Sequence, residues 1–342
     1  MTDQLTPEAF RQRLEEYLEA VTGQAVTITA LAPLPGGASR DSWLVSVRAG
    51  DAVEKLVLRR DLATRADDRA LERDQEFKVM QAAHAAGLKV PRPRWYCTEP
   101  LILGAPFFIM DFVEGFALGE QVVELPELAG ARAALPEQLG EQLARIHALD
   151  PQAHGLDFLP APRPGFSPAQ EALAQVRAQL LKLGVYNPIF AFGLRWAETH
   201  LPAAGQVTLL HGDFRVGNFL VTPDGLNGVV DWEFCRLGDP LEDLAWACLR
   251  DWRYGRGMLR LGGIARREPF LQAYERASGR PVDRKAVDFW EIVGNLRRAV
   301  TCLVQADRHL SGGDISVELA SLGRRSAEMQ LELLRLIDEQ GV

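Results

Sequence analysis

Apolar positions near the start of the chain recur with a helical period. Phe10, Leu14, Tyr17, Leu18 and Val21 share one face, Thr6 and Pro7 open the segment, and Gly23 closes it, which predicts a helix. The period then shortens. Val26–Leu31, Trp43–Val47 and Lys55–Arg60 are brief runs rich in β-branched and apolar residues and predict three strands. A charged stretch from about Asp67 to Ala86, closed by Gly87 and Pro91, predicts a helix, and Phe107–Val113 reads as a buried strand ended by Glu114 and Gly115. Strands, a helix and more strands in that order describe a small α+β lobe over residues 1–113. Beyond about residue 120 the pattern is helical, as in Leu139, Leu143 and Ile146, apart from a loop over 155–168 with Pro160, Pro162, Pro164 and Gly165. One strand pair interrupts it: Phe219–Val221, a turn at Thr222–Gly225, and Leu226–Val230. Residues 114–342 therefore form a larger, mainly helical lobe, and neither repeats nor low-complexity linkers separate the two.

The composition narrows the class. With 47% hydrophobic and 25% charged residues the 342-residue chain reads as a soluble globular protein. Its longest apolar run, Leu101–Met110, is broken by Gly104 and Pro106 and is too short to span a bilayer. The first residues lack a secretory pattern, and four scattered cysteines (Cys97, Cys235, Cys248, Cys302) without a Cys-x-x-Cys pair suit a reducing cytoplasm. A formal charge of −8 argues against nucleic-acid binding, which requires a basic surface.

The richest stretch is His211-Gly212-Asp213-Phe214-Arg215-Val216-Gly217-Asn218, followed by Val230-Asp231-Trp232-Glu233. Asn218 enters the strand pair at the end where Asp231 leaves it, so the two side chains can share a cation, and Asp213 precedes Asn218 by five residues. A carboxylate to accept a hydroxyl proton, with an Asn and an Asp to hold Mg²⁺, is the equipment phosphoryl transfer requires.

This pattern resembles the catalytic core of the aminoglycoside phosphotransferase and choline kinase-like family, small-molecule relatives of the protein kinases. The resemblance implies a two-lobed, protein-kinase-like α+β fold, ATP and Mg²⁺ as cofactors, Asp213 as catalytic base, and Asn218 and Asp231 as metal ligands. His211 becomes a structural residue of the loop, and Asp243, in Asp243-Leu244-Ala245, its support from behind. Gly36, Gly37 and Ser39 occupy the family's nucleotide-loop position, where backbone amides approach a phosphate. The subfamily's Val-Leu-Arg matches Val57-Leu58-Arg59, which makes Arg59 the phosphate contact, with Lys55 and Arg60 as alternatives, and Glu76 its partner, with Glu72 and Asp74 on the same helix as competitors. Met110, Asp111 and Val113 fall at the hinge whose backbone would meet the adenine.

The resemblance implies a small-molecule acceptor. Residues 251–342 hold 15 Arg and Lys against 13 Asp and Glu, a net +2 that suits a polycationic aminoglycoside poorly. Glu291, Asn295 and Arg298 recur along one helix face beginning near Val287. Together with Arg297, Trp252 and Arg253 they point to a neutral or anionic acceptor. The nearest likeness is to phosphotransferase domains associated with acyl-CoA dehydrogenases, so a hydroxyacyl-CoA leads. The alternatives are an antibiotic kinase and a nucleotide-binding pseudokinase acting through partners. A protein kinase is disfavoured, because Asp231 and Asp239 are only eight residues apart and leave no activation segment.

Overall fold

The computed structural model describes residues 5–34, 41–61, 69–203, 205–312 and 315–341. The chain divides into two compact units. The first comprises Met1–Gly115 and Asn227–Phe234, and the second Phe116–Leu226 and Cys235–Val342. The linear division expected at 113/114 leaves out the second segment, because residues 227–234 group with the first unit although they lie deep in the C-terminal sequence.

In the first unit, α1 (Pro7–Thr22) is capped by Thr6, whose hydroxyl accepts from Ala9 N, and ends on left-handed Gly23. There follow β1 (Thr27–Pro33), β2 (Asp41–Ala49), β3 (Ala52–Arg60), α2 (Arg73–Ala85), β4 (Pro93–Cys97), the single turn α3 (Pro100–Leu103) and β5 (Phe107–Asp111). They form one antiparallel sheet in the order β1-β2-β3-β5-β4. In central β3 the stretch Leu56–Arg59 is buried on both faces. Leu56 and Leu58 join Phe10, Leu14 and Leu18 of α1 in one core, whereas the neighbouring positions face α2, where Phe77 packs on Phe108. The expected start of α2 at Asp67 is corrected. The helix begins at Arg73, with Glu72 and Gln75 in a capping box, and residues 62–68 lie outside those described. Strand β4 escaped the sequence pattern because Pro93 reads as a breaker, yet an edge strand tolerates proline at its first residue.

The second unit contains α4 (Gly119–Glu124), α5 (Ala129–His147), α6 (Pro168–Leu183), α7 (Pro188–Thr199), β6 (Thr208–Leu210), β7 (Phe219–Thr222), β8 (Gly225–Val229, which continues into the first unit), β9 (Arg236–Gly238), α8 (Pro240–Trp246), α9 (Arg267–Ser278), α10 (Arg284–Leu310) and α11 (Val317–Asp338). Helix α10 is the axis of this unit, buried along most of its length from Ala286 to Ala306 and packed by α6, α7, α8 and α11. It starts at Arg284, capped by Asp283, rather than near Val287. Strands β7 and β8 pair across the expected turn. The β6–β9 pair was not anticipated, since three-residue strands carry no readable period. Among the described residues no helix is long and apolar enough to cross a membrane.

Candidate active site

Within the first unit, the alternation along β3 turns Arg59 toward α2. Its guanidinium lies 2.9 Å from Glu76 Oε1, and its Nη2 donates to Asp231 Oδ1 at 2.9 Å. Glu76, fully buried, also accepts from Arg73 Nη1 at 2.7 Å, and Arg73 reaches Asp61 as well. Burial opposes the charge on Arg59, but Glu76 and Asp231 outweigh it and push its pKa above the ordinary arginine value. Arg59 is thus a fixed cation. Asp231 has φ 68°, a left-handed conformation uncommon outside glycine and typical of functional positions. Arg60 turns the other way, donating to Asp41 and to Leu103 O, while exposed Lys55 places its ammonium 5.4 Å from the Phe112 ring centre. Asp111 donates its N–H to Arg92 O at 2.9 Å, so that amide is engaged; Met110 is buried, and Val113 N–H makes no backbone hydrogen bond among the described residues. Gly36, Gly37 and Ser39 lie outside the described residues.

Within the second unit, the loop His211–Asn218 leaves β6 and is pinned by Asp243 in the first turn of α8. Its carboxylate accepts from His211 N at 2.7 Å and Gly212 N at 3.0 Å. His147 Nε2 lies 3.3 Å from the same carboxylate, and its Nδ1 lies 2.9 Å from the Tyr274 hydroxyl. Burial by itself would raise the Asp243 carboxyl pKa; the bond and charge of His147, with lesser help from His211 and Arg236, prevail and hold it below the usual range. Asp213 N–H then donates to His211 Nδ1 at 3.2 Å. The Asp213 carboxylate receives Trp246 Nε1 on Oδ1 and Asn218 Nδ2 on Oδ2, both at 2.7 Å, and Arg215 Nε at 3.0 and 3.1 Å. Asn218 Nδ2 also bonds Asp213 O at 2.9 Å, while Asn218 Oδ1 makes no hydrogen bond among the described residues. Three of these partners were missed from the sequence: Arg215, Trp246 and His147. Arg215 alone had a local signal, two residues after Asp213 on the same loop. The other two come from α8 and α5, remote in sequence.

The polar stripe on α10 is corrected. Glu291 and Asn295 are fully buried, so they line neither a cleft nor a solvated face. Glu291 gathers Arg253 (2.7 Å), Arg260 (2.6 Å) and Arg267 (3.0 Å), and Arg253 also pairs with buried Glu332 at 3.0 Å. Asn295 donates to Glu291 O within the helix, and Arg297 is consumed by Glu242. Much of the positive charge counted over 251–342 is therefore neutralised internally. Arg298 differs. Its Nε bonds Asp251 Oδ2 at 2.6 Å and its guanidinium lies 4.9 Å from the Trp252 ring centre, where Arg215 lies at 4.3 Å. Trp252 itself packs against Trp246 and Leu249.

Comparison with known proteins bears on this arrangement. Residues 30–290 match the model of a family described as the phosphotransferase enzyme family. The chain is 31% identical over 242 residues to acyl-CoA dehydrogenase family member 10 of Mus musculus, a match covering 69% of this chain and 22% of that protein. It is 33% identical over 178 residues to acyl-CoA dehydrogenase family member 11 of Rattus norvegicus, covering 50% and 22% respectively. The chain thus spans about 22% of the length of these relatives. Among solved structures, a protein assigned as an aminoglycoside phosphotransferase from Ralstonia eutropha superposes with a TM-score of 0.74 at 23% identity, covering 96% of this chain and 98% of the other. The fold is protein-kinase-like, and the chain belongs to the phosphotransferase enzyme family.

Proposed function

We propose that the protein transfers the γ-phosphoryl group of ATP, with Mg²⁺, to a hydroxyl of a neutral or anionic small molecule, a hydroxyacyl-CoA being the first candidate. The observation that carries this reading is the Asp213 carboxylate, presented on a loop that Asp243 pins through two backbone amides. So positioned, Asp213 accepts or orients the acceptor's hydroxyl proton. Asn218, whose Nδ2 is committed to Asp213, keeps its Oδ1 for a cation, and Asp231 supplies a carboxylate; both are the hard oxygen donors that Mg²⁺ takes. Bound Mg²⁺ supplies neutralisation of the donor's phosphate charge. Arg59, locked in its charged form by Glu76, steadies a phosphate oxygen.

The names of the two relatives support acyl-CoA chemistry for the acceptor. The test is transfer from γ-labelled ATP, with and without Mg²⁺, to 3-hydroxybutyryl-CoA, choline and kanamycin. Mg²⁺-dependent labelling of the thioester is the expected result. Nucleotide binding with no labelling of any acceptor and no ATP turnover would overturn the reading in favour of a pseudokinase.

A further inference from the structure

Asp213 carries more donors than a resting base requires. Trp246 and Asn218 occupy one oxygen each and Arg215 Nε reaches both. A carboxylate offers about four lone-pair directions, and the single Nε hydrogen of Arg215 lies across both oxygens, so its withdrawal opens the most room for a substrate hydroxyl. Trp246 and Asn218 are buried, whereas the Arg215 side chain is 22% exposed. It rests on Trp252, which also carries the guanidinium of Arg298. Arg298 and Arg325 share Asp251; Arg325 pairs with its carboxylate and donates to its backbone oxygen at 3.2 Å. Two guanidinium groups, Arg215 and Arg298, therefore lie on one indole, and a third, Arg325, joins them through Asp251; against the carboxylates Asp213 and Asp251 the three leave an excess of one positive charge (3 − 2). One of those carboxylates is needed for the chemistry.

We propose that Arg215 and Arg298 on Trp252, with Arg325 on Asp251, form an anion subsite for the acceptor, taking a carboxylate or phosphate carried by the alcohol, and that this anion draws Arg215 off Asp213 and so frees the base. The proposal rests on the reading of Asp213 as the base of phosphoryl transfer. In the step it serves, the acceptor oxygen bonds the γ-phosphorus, the bond from that phosphorus to the β-phosphate oxygen breaks to release ADP, and the hydroxyl proton passes to Asp213. An alcohol without an anion leaves Arg215 in place and is discriminated against in kcat as well as in KM, a form of induced fit.

The full chain should be assayed with Mg-ATP on 3-hydroxybutyrate, 3-hydroxybutyryl-CoA and 1,3-butanediol. The anionic pair is expected to exceed the diol in kcat/KM, and the better of the two tells whether a carboxylate or a phosphate is read. Arg298→Gln and Arg325→Gln should each raise KM for that anionic acceptor roughly ten- to hundredfold, the worth of a charge-assisted hydrogen bond, and leave the diol unchanged. Arg215→Met should raise kcat on the diol severalfold while lowering it on the anion. Equal effects of Arg298→Gln and Arg325→Gln on both classes overturn the subsite, and equal losses in Arg215→Met overturn the unmasking. Should the wild type phosphorylate none of the three, calorimetry decides separately. Binding of 3-hydroxybutyrate or its CoA thioester that is lost in Arg298→Gln upholds the subsite while the kinase reading falls; no binding overturns the subsite.

Discussion

Replacing Asp213 by Asn keeps the size of the side chain and one acceptor oxygen for Trp246, but removes the charge and the proton-accepting capacity. The expected result is intact nucleotide binding with kcat lower by on the order of 10² to 10⁴, the usual worth of a positioned acid–base group. Turnover at the wild-type rate would remove Asp213 from the role of base. Asp231 and Asn218 separate by charge. Asp231→Ala should abolish the Mg²⁺-dependent gain in ATP affinity and Asn218→Ala should reduce it less, because a carboxylate offers a full charge and a carboxamide only a dipole. Calorimetric titration of ATP with and without Mg²⁺ checks both, and unchanged Mg-ATP affinity in the two variants would count against them as metal ligands.

Helices α5 and α9 touch where Gly140 lies against Phe270 O, Tyr274 N and the Ala273 side chain; a Cβ placed there would meet each of them within 2.6–2.8 Å. Backbone cannot yield as a flexible side chain does, so Gly140→Ala should cost about 1–3 kcal/mol despite alanine's better helix propensity. Urea denaturation checks this, and a variant as stable as the wild type would refute the close approach. The same two helices bring His147 Nδ1 to Tyr274, while its Nε2 faces Asp243 of α8. Because the folded Asp243 carboxyl is held below the usual range, its contribution is present above the unfolded-state value of about 3.9 and is lost as pH falls through the lower folded value. Asp243→Asn should therefore flatten the acid limb of the stability curve below about pH 4, and leave the protein less stable at neutral pH. An acid limb identical to the wild type's would show that the loop does not depend on this charge.

For the molecule as a whole, the formal charge of −8 misleads about the acceptor. A tri- or tetracationic antibiotic needs several uncommitted carboxylates, since a buried ammonium must be paired. In the second unit Glu291, Glu332 and Asp251 are already occupied by arginines. Kanamycin-type compounds should accordingly be poor acceptors. A kcat/KM for kanamycin within about tenfold of the enzyme range of 10⁴ to 10⁸ M⁻¹s⁻¹ would sink that argument.

Periodicity in the sequence was enough to locate α1, the strands β1–β3 and β5, and the β7–β8 pair, because each buries a face whose repeat is written locally. The spacing from His211 through Asp231 likewise marked the candidate chemistry, since those residues are close along the chain. The partners were not legible. Trp246 reaches Asp213, and His147 reaches the Asp243 that pins the 211–218 loop, from helices separated from that loop by tens of residues, and nothing in their own neighbourhoods announces it. The α10 stripe shows the converse. Glu291 and Asn295 have the spacing of a polar face, but only tertiary packing puts them inside, where Arg253, Arg260 and Arg267 compensate the buried charge. Local pattern determines which face of an element is apolar. Which polar groups meet, and therefore which charges remain for a substrate, is decided by contacts between segments distant in sequence, and these exist only in the folded chain.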